Sequence, residues 1–394
     1  AFPFHTWVPD YAETAPATSS AFLPASLDKL LGIYFLARIT TQLFVMSDWM
    51  RFVLLSIGVV TIITAVLMAL VQHNYKRLLG FHAVSQVGYM VVGFGLGSML
   101  GIAAGLFHMI NNAIYKGGLF LSAGAVEQQT GKEEMEDLGG LSRAMPLTFF
   151  ATLVFALSIS GIPPFNGFAS KWMIYQGIID FGQGTGISNQ LWMVWLGLAV
   201  LGSALTLASF IKFTGGIFLG RQLKADSKIK EVGAVMWVPM LILALVCIGF
   251  GVLATKWVVP KIFMPVTGTF EFTGAWASGT VSILVLVSIV LGLLIYWLGN
   301  TKNFRTSDSF VGGEKIQDQT SYSTLEFYKS LQEFPWLDRM FQRAKEGWFD
   351  LYELVRQFIS WLGTIFSRLH TGVLHDYVLW VFAGVVILLL LLIT

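Results

Sequence analysis

The chain has 394 residues, of which 55% are hydrophobic and only 12% are charged, and its formal net charge is +2. Soluble proteins carry roughly a quarter charged residues, so this composition excludes a soluble enzyme and indicates a polytopic membrane protein. The small net charge gives no support for nucleic-acid binding. One cysteine, Cys247, excludes a disulfide framework, a CxxC zinc site and an iron–sulfur cluster held by this chain alone.

The opening segment, AFPFHTWVPDYAETAPATSSAFLPASLDKLLGIYFLARI, is apolar but is interrupted by prolines up to Pro24. Proline removes a backbone donor and clashes with the preceding turn, so this opening predicts a broken membrane segment. Lys29 enters the next helix beside Asp28, a charge partner that would lower the cost of burying the lysine. Because the chain starts at Ala1 inside such a segment, we expect the true N-terminal part to be absent from this sequence.

Apolar runs of about 20 residues, the length that crosses a bilayer, recur along the chain. They predict nine spans and an all-α membrane helix bundle: 19–43, 52–71, 79–99, 101–127, 146–179, 191–219, 233–255, 275–298 and 374–394. Lys and Arg are concentrated in the loops at 72–78, 128–145 and 220–232. By the positive-inside rule these loops are cytoplasmic, and so is the long segment 299–373.

The span 101–127 carries a polar stripe. His108, Asn112 and Lys116 recur every four residues and therefore share one helix face, and Glu127 returns to nearly that face at the cytoplasmic end. A lone buried histidine is more often structural than a proton carrier. A His–Asn–Lys stripe inside a membrane span nevertheless favours an ion pathway, because buried ionisable residues are costly.

The span 146–179 contains SISGIPPFNGFASKWMIYQ, which places Pro163 and Pro164 in mid-membrane and predicts a second helix break. Broken membrane helices occur where protein or a water-filled cavity satisfies the exposed backbone. Lys171 follows the break by one to two turns, and Lys212 lies well inside the next span. The alternative for Lys171 is a lysine that extends from a helix end to the membrane surface.

Between the last two spans, apolar residues recur every three or four positions from Pro335 to His370. This pattern predicts one amphipathic helix about 54 Å long. It either lies at the interface and covers its own protein, or forms a lateral strut across neighbouring membrane subunits. The predicted domains are a bundle at 1–298, a cytoplasmic-side linker with the lateral helix at 299–373, and a final anchor at 374–394.

Three blocks together resemble the antiporter-like membrane subunits of respiratory complex I and its relatives, the Mrp-type antiporters and the membrane-bound energy-converting hydrogenases. The blocks are PFHTWVPDYAETAP, FHMINNAIYKGGLFLSAG and GIPPFNGFASKW, and the resemblance covers the whole chain. The long, distal-type member of that family also has nine spans after its first broken helix and a lateral helix between the last two.

The resemblance implies a role for each buried basic residue. Lys29 would be the connecting lysine of an ion relay, His108 and Lys116 its centre, and Lys171 the terminal lysine. Asn112, where some members have a second histidine, would orient water. The secondary candidates are Lys212, Asp28 and Glu127.

The function implied is translocation of H⁺ or Na⁺ in a redox-driven pump of the NADH–quinone oxidoreductase or membrane-bound hydrogenase type, in a prokaryotic cytoplasmic membrane. The expected partners are other antiporter-like subunits, a peripheral arm with iron–sulfur subunits, and the lipid bilayer. We expect no cofactor, metal or redox centre in this chain. Two alternatives are an Mrp-type antiporter subunit without a redox partner, and a haem b protein that uses His82 and His108.

Overall fold

The computed structural model describes residues 1–219, 229–272, 278–299, 334–346, 348, 350–370 and 372–393. Within these residues the chain is helical, and the only extended pairing is an isolated bridge between Asn74 and Glu134. The predicted all-α membrane bundle is therefore confirmed.

The helices, numbered in chain order, are α1 (Trp7–Thr14), α2 (Ala17–Phe22), α3 (Asp28–Arg38), α4 (Asp48–Leu70), α5 (Tyr75–Gly95), α6 (Met99–Thr130), α7 (Pro146–Ser160), α8 (Asn166–Phe181), α9 (Ile187–Gln190), α10 (Trp192–Phe218), α11 (Ala234–Val252), α12 (Met264–Thr267), α13 (Ser278–Leu298), α14 (Pro335–Lys345), α15 (Leu351–Leu369) and α16 (Leu374–Ile393). π-Helical turns occupy Leu23–Leu27, Ile39–Leu43 and Ala254–Phe263. Short 3₁₀ turns occupy Met135–Asp137 and Leu141–Arg143.

The helices agree with the predicted spans. Among the described residues, 7 helical segments are long and apolar enough to cross a membrane by length and composition. The other two predicted spans are α6, which has 32 residues but carries the polar stripe, and the pair α7 and α8. Residues 275–277 of the eighth predicted span, and Thr394 of the ninth, lie outside the described residues.

Close backbone contacts position α5 at the centre of the first of two compact units, Ala1–Asp338. A β-carbon added to Gly88 on α5 would lie 2.5 Å from the carbonyl oxygen of Gly58 on α4, and one added to Gly93 would lie 2.9 Å from that of Gly101 on α6. Small residues allow such approaches between membrane helices, where lipid removes much of the hydrophobic drive for association. The result is that α5 is buried along nearly its whole length.

The predicted break near Pro164 is present. α7 ends at Ser160 and α8 begins at Asn166. Gly161 closes α7 with a φ of 81°, a conformation that favours glycine. Its amide donates to the carbonyl oxygen of Ser158 at 2.9 Å, so the chain turns sharply inside the bundle.

The N-terminal segment is interrupted less severely than predicted. α1 ends just before Pro16, but Pro24 lies within the π-helical turn Leu23–Leu27 that joins α2 directly to α3. A wider turn can accommodate a proline that cannot make the usual backbone hydrogen bond, so the chain stays helical there.

The loops predicted to be cytoplasmic gather at one end of this unit. The Tyr75 hydroxyl donates to the carbonyl oxygen of Lys132 at 2.9 Å, and the Gly140 amide donates to that of Leu219 at 3.0 Å. These bonds join residues in or beside all three basic loops. The three loops therefore lie at the same end of the unit, as the alternation of basic and non-basic loops along the chain predicts. Residues 220–228, with most of the third loop's basic residues, lie outside the described residues, and the side of the membrane stays a prediction.

The second unit, Arg339–Thr394, contains α15, α16 and most of α14. The prediction of one continuous amphipathic helix over 335–370 is wrong, because α14 ends at Lys345 and α15 begins at Leu351. Asp350 caps the new helix by accepting the Tyr352 amide at 2.9 Å. The preceding sequence also contains Gly347, a weak helix former. The linker at 300–333 lies outside the described residues, so the predicted boundaries at 298 and 373 stay predictions.

Gly167 provides a test of the broken-helix crossing. A β-carbon there would overlap the backbone carbonyl of Ser158, so Gly167→Ala must push α8 away from α7. We expect the free energy of unfolding to fall by about 1–3 kcal/mol, the usual cost of overpacking, measured as a lower Tm of the detergent-solubilised complex. Gly197→Ala is the matched control, because nothing lies within 4 Å of its added β-carbon. Equal Tm values for the two variants would contradict the tight crossing.

Candidate functional site

Lys171 occupies the break between α7 and α8 and is 1% exposed. Its ammonium group donates to the carbonyl oxygen of Ile159 at 2.8 Å. Ile159 belongs to the last turn of α7, where backbone carbonyls lack partners within the helix. The Lys171 Nζ also lies 4.6 Å from the centroid of the Tyr89 ring. The head group is therefore held inside the bundle, which does not fit a lysine extended to the membrane surface.

Lys29 is held in a similar way at the N-terminal π-turn. The side chain is buried, and Nζ donates to the carbonyl oxygen of Pro24. The expected pairing with Asp28 is not formed, since Asp28 is exposed and no ion pair joins the two side chains within the described part of the chain. Like Lys171, Lys29 thus binds a backbone carbonyl oxygen at an irregular part of a helix.

The predicted stripe on α6 is present, and His108, Asn112 and Lys116 are all fully buried. The Asn112 side-chain amide donates to the carbonyl oxygen of Ala25, in the π-turn that also holds Lys29, at 3.2 Å. Lys116 Nζ donates to the carbonyl oxygen of Leu79 on α5 at 2.6 Å. The stripe therefore contacts both the N-terminal π-turn and the central helix.

His108 connects the stripe to the broken helix. Its Nδ1 lies 2.9 Å from the Ser170 hydroxyl, and its Nε2 lies 3.2 Å from Oε1 of Gln86 on α5. The His108 ring centroid is 5.5 Å from that of Tyr89, the same ring that Lys171 contacts. The structure therefore brings His108 and Lys171 together around Tyr89 and Ser170.

The three lysines share one chemical feature. Lys29, Lys116 and Lys171 each donate to a backbone carbonyl, and none forms an ion pair with a carboxylate within the residues that the structure describes. A carboxylate neighbour would favour the charged ammonium. A neutral carbonyl can accept a hydrogen bond from either the ammonium or the amine, so this arrangement can hold a proton and release it.

Residues 1–197 match the transmembrane family described as NADH:quinone oxidoreductase/Mrp antiporter. The chain belongs to this family. The matched region contains Lys29, the α6 stripe and Lys171, and it ends before Lys212.

Known relatives in this family come from different kinds of complex. The chain is 35% identical over 266 residues to the Na⁺/H⁺ antiporter subunit A1 of Staphylococcus saprophyticus, covering 64% of this chain and 33% of the relative. It is 32% identical over 330 residues to hydrogenase-4 component B of Escherichia coli, covering 75% of this chain and 48% of the relative. The chain thus spans about a third to a half of the length of these relatives.

A solved structure resembles the entire chain. A subunit of the membrane-bound sulfane sulfur reductase, an archaeal respiratory membrane complex, has 26% identity and a TM-score of 0.77, covering 100% of this chain and 66% of that subunit. The similarity extends past residue 197 and therefore includes the helices beyond the family match.

Glu127, a secondary candidate, forms an ion pair with Lys76. Lys76 Nζ lies 3.2 Å from Glu127 and 2.7 Å from Glu133, although its side chain is only 2% exposed. Burial alone would raise the pKa of Glu133, but the hydrogen bond from Lys76 brings that pKa below its ordinary value. Glu127 therefore pairs with Lys76 and does not extend the polar stripe. Lys76 is a structural clamp, whereas the sequence predicted only a basic residue in a cytoplasmic loop.

Lys212 binds backbone carbonyls at the end of α4. Its Nζ donates to the carbonyl oxygens of Leu70 at 2.8 Å and Gln72 at 2.7 Å. These are the last carbonyls of α4 and of the turn after it, at the end of the bundle where the basic loops gather. Lysines favour such helix C-termini, and a part for Lys212 in ion transport stays a prediction.

Three further side chains of the site were not identified from the sequence. Gln86 and Ser170 bond His108, and Tyr89 lies between His108 and Lys171. Gln86 could have been identified from the sequence, because it is a polar residue inside an apolar span, in the run SQVGYM.

The haem interpretation does not fit these contacts. Both ring nitrogens of His108 have side-chain partners, on α8 and α5, and Nε2 of His82 lies 2.7 Å from the Ser209 hydroxyl on α10. The two imidazoles are thus directed to different helices rather than to a common ligand.

Proposed function

We propose that this chain is an ion-translocating membrane subunit that carries protons, or Na⁺ coupled to them, through buried side chains. The observation that supports it is that Lys29, Lys116 and Lys171 bind backbone carbonyls inside the bundle. A charged lysine costs roughly 2.5–3.5 kcal/mol at the bilayer centre, so buried lysines without carboxylate partners point to function rather than stability.

In the proposed relay Lys29 is the connecting lysine, Lys116 and His108 form the centre, and Lys171 is the terminal lysine. The contacts support this order. The π-turn that holds Lys29 also binds Asn112 on α6, and His108 shares the Tyr89 ring with Lys171. The Asn112 amide does not titrate and would orient water in this path.

We propose further that the complex is a redox-driven pump of the NADH–quinone oxidoreductase or membrane-bound hydrogenase type, located in a prokaryotic cytoplasmic membrane. Similarity over the whole chain to a subunit of an archaeal respiratory complex supports this assignment. The partners would be other antiporter-like subunits and a peripheral arm with iron–sulfur subunits. This chain itself would hold no redox centre.

A second candidate is a subunit of an Mrp-type antiporter, favoured by the 35% identity to the staphylococcal antiporter subunit. Mass spectrometry of the natively purified complex distinguishes the two. Iron–sulfur subunits would support the pump, and a complex that contains only membrane subunits would support the antiporter.

The relay can be tested with Lys116→Ala and Lys171→Ala. In proteoliposomes that contain the purified complex, a potassium diffusion potential set by valinomycin should drive proton uptake, followed with a pH-sensitive dye inside the vesicles. We expect each variant to reduce this flux at least about 10-fold, since a proton-transfer group typically contributes that much or more. Lys171→Arg should reduce the flux as well, because a guanidinium does not release its proton near neutral pH.

The matched control for these lysines is Lys132→Ala, in an exposed loop. It should keep the native flux, and all variants should retain the native subunit composition. Native flux in both Lys116→Ala and Lys171→Ala would contradict the relay.

We also propose that α14 and α15 lie along the cytoplasmic face and pack across another membrane subunit. The apolar face of α15 supports this, because Val355, Ile359 and Phe366 are all exposed within the second unit. An apolar face of this extent is stabilised by about 25 cal/mol for each Å² that a partner or the bilayer covers.

The triple variant Leu351→Asp, Val355→Asp and Leu362→Asp should make the purified complex lose a subunit while this chain still inserts, because it would bury charge at the contact. The readout is the subunit composition after purification. A control triple on the polar face, Gln357→Asp, Ser360→Asp and Thr364→Asp, should leave it unchanged. Native composition in the first variant would refute the bracing role and leave the interfacial interpretation.

A further inference from the structure

His82 is a buried histidine on α5 that the relay described above does not use. It is fully buried. Its Nε2 lies 2.7 Å from the Ser209 hydroxyl, and its ring centroid lies 4.7 Å from that of Phe210 on α10. The side chain is thus held in one orientation from α10, which leaves its Nδ1 directed elsewhere.

His82 lies between the two ends of the α6 stripe. On one side, Lys116 Nζ is 5.9 Å from the centroid of Phe210, the ring that also contacts His82, and it bonds Leu79, one turn before His82. On the other side, Gln86 lies one turn after His82 and bonds His108. The charged groups that act electrostatically on His82 are Lys116 from α6 and Lys171 from α8.

The α6 stripe has no basic group of its own in this interval. His108 and Lys116 are eight residues apart, about 12 Å along the helix axis, and the residue between them on that face is Asn112, which cannot carry a proton. A proton that passes from one to the other therefore needs another group or water, and His82 is the histidine beside the gap.

Three buried polar atoms around this gap have no hydrogen-bond partner within the part of the chain that the structure describes. They are Nδ1 of His82, Nε2 of Gln86 and Oδ1 of Asn112. Buried polar groups are almost always satisfied, by protein or by ordered water. His82 and Gln86 are also four residues apart on α5 and therefore lie on the same face. A buried polar atom without a protein partner is the setting in which proteins bind internal water.

We propose that His82 is a proton-carrying residue of the relay, which links Lys116 to His108 through water bound at its Nδ1 and beside Gln86. This inference rests on the proposed function, and it adds a titratable group on a second helix, α5, at the level where α6 presents only an asparagine.

The proton-transfer step balances without any other reactant. The Lys116 ammonium gives one proton through water to Nδ1 of the neutral imidazole, which leaves a neutral amine and an imidazolium. The imidazolium then releases that proton from Nδ1, through water, to Nδ1 of His108, because Nε2 of His108 faces Oε1 of Gln86 and already carries a hydrogen. The Ser170 hydroxyl, which faces that Nδ1, then turns to the carbonyl oxygen of Asn166 or Gly167. The Nε2–H of His82 keeps its bond to Ser209 throughout, and no electron is transferred.

The test is His82→Gln, which keeps a polar side chain of similar reach but cannot be protonated. In the proteoliposome assay with the purified complex, proton flux should fall at least about 10-fold, and the dependence of flux on pH should lose one titration step. Thr206→Ala is the control, since it removes a buried hydroxyl of α10 that bonds the Gly202 carbonyl of its own helix. It should retain most of the native flux.

A rescue separates a proton carrier from a structural residue. Adding Asn112→His to His82→Gln places an imidazole in the same gap from α6, and we expect flux to return to within about 3-fold of the native value, well inside the loss assigned to a missing proton carrier. Native flux in His82→Gln would overturn the inference, as would a loss that leaves the shape of the pH profile unchanged. Because Lys116→Ala and Lys171→Ala are measured in the same assay, failure here with those variants inactive would leave the proposed function standing.

Discussion

The hydrogen bond from a buried lysine to a backbone carbonyl is the interaction on which the candidate site depends. Lys171 uses a carbonyl that the end of α7 leaves without an amide partner, and Lys29 uses one in the π-turn around Pro24. In each case the lysine head group and the backbone carbonyl satisfy each other's hydrogen bonding. Either group without the other would be costly inside a membrane. Lys76 shows the contrast, because it pairs with two carboxylates, Glu127 and Glu133, and ties the end of α6 to α5.

The packing of α5 follows from the same constraint. A relay built from side chains on several helices needs those helices close together, and glycines at the contacts of α5 with α4 and α6 allow this. Since α5 is enclosed by its neighbours, its polar residues reach partners on α6 and α10 without meeting lipid. His82 and Gln86 therefore occupy the interior that the outer helices create.

The sequence was sufficient for the parts of the fold that depend on local chemistry. Prolines predicted the break before Asn166, and four-residue spacing predicted the stripe on α6, because both effects act within one helix. The acceptors of the lysines could not be predicted in this way. Lys76 binds carboxylates 51 and 57 residues away, and His108 binds Ser170 at a separation of 62. The end of α14 was not predicted, because apolar residues keep their helical spacing past Gly347 and Asp350. Capping by Asp350 nevertheless starts a new helix at Leu351.

The clamp formed by Lys76 has a mechanical consequence. Because its ammonium holds both Glu127 and Glu133, the last turn of α6 and the loop after it are fastened to the first turn of α5. α6 is a single helix of 32 residues, and Lys116 and His108 bond α5 again further along it, at Leu79 and Gln86. Any rotation of α6 against α5 would therefore have to break these bonds and the Lys76 ion pairs together, so the loop and the stripe are held in one register.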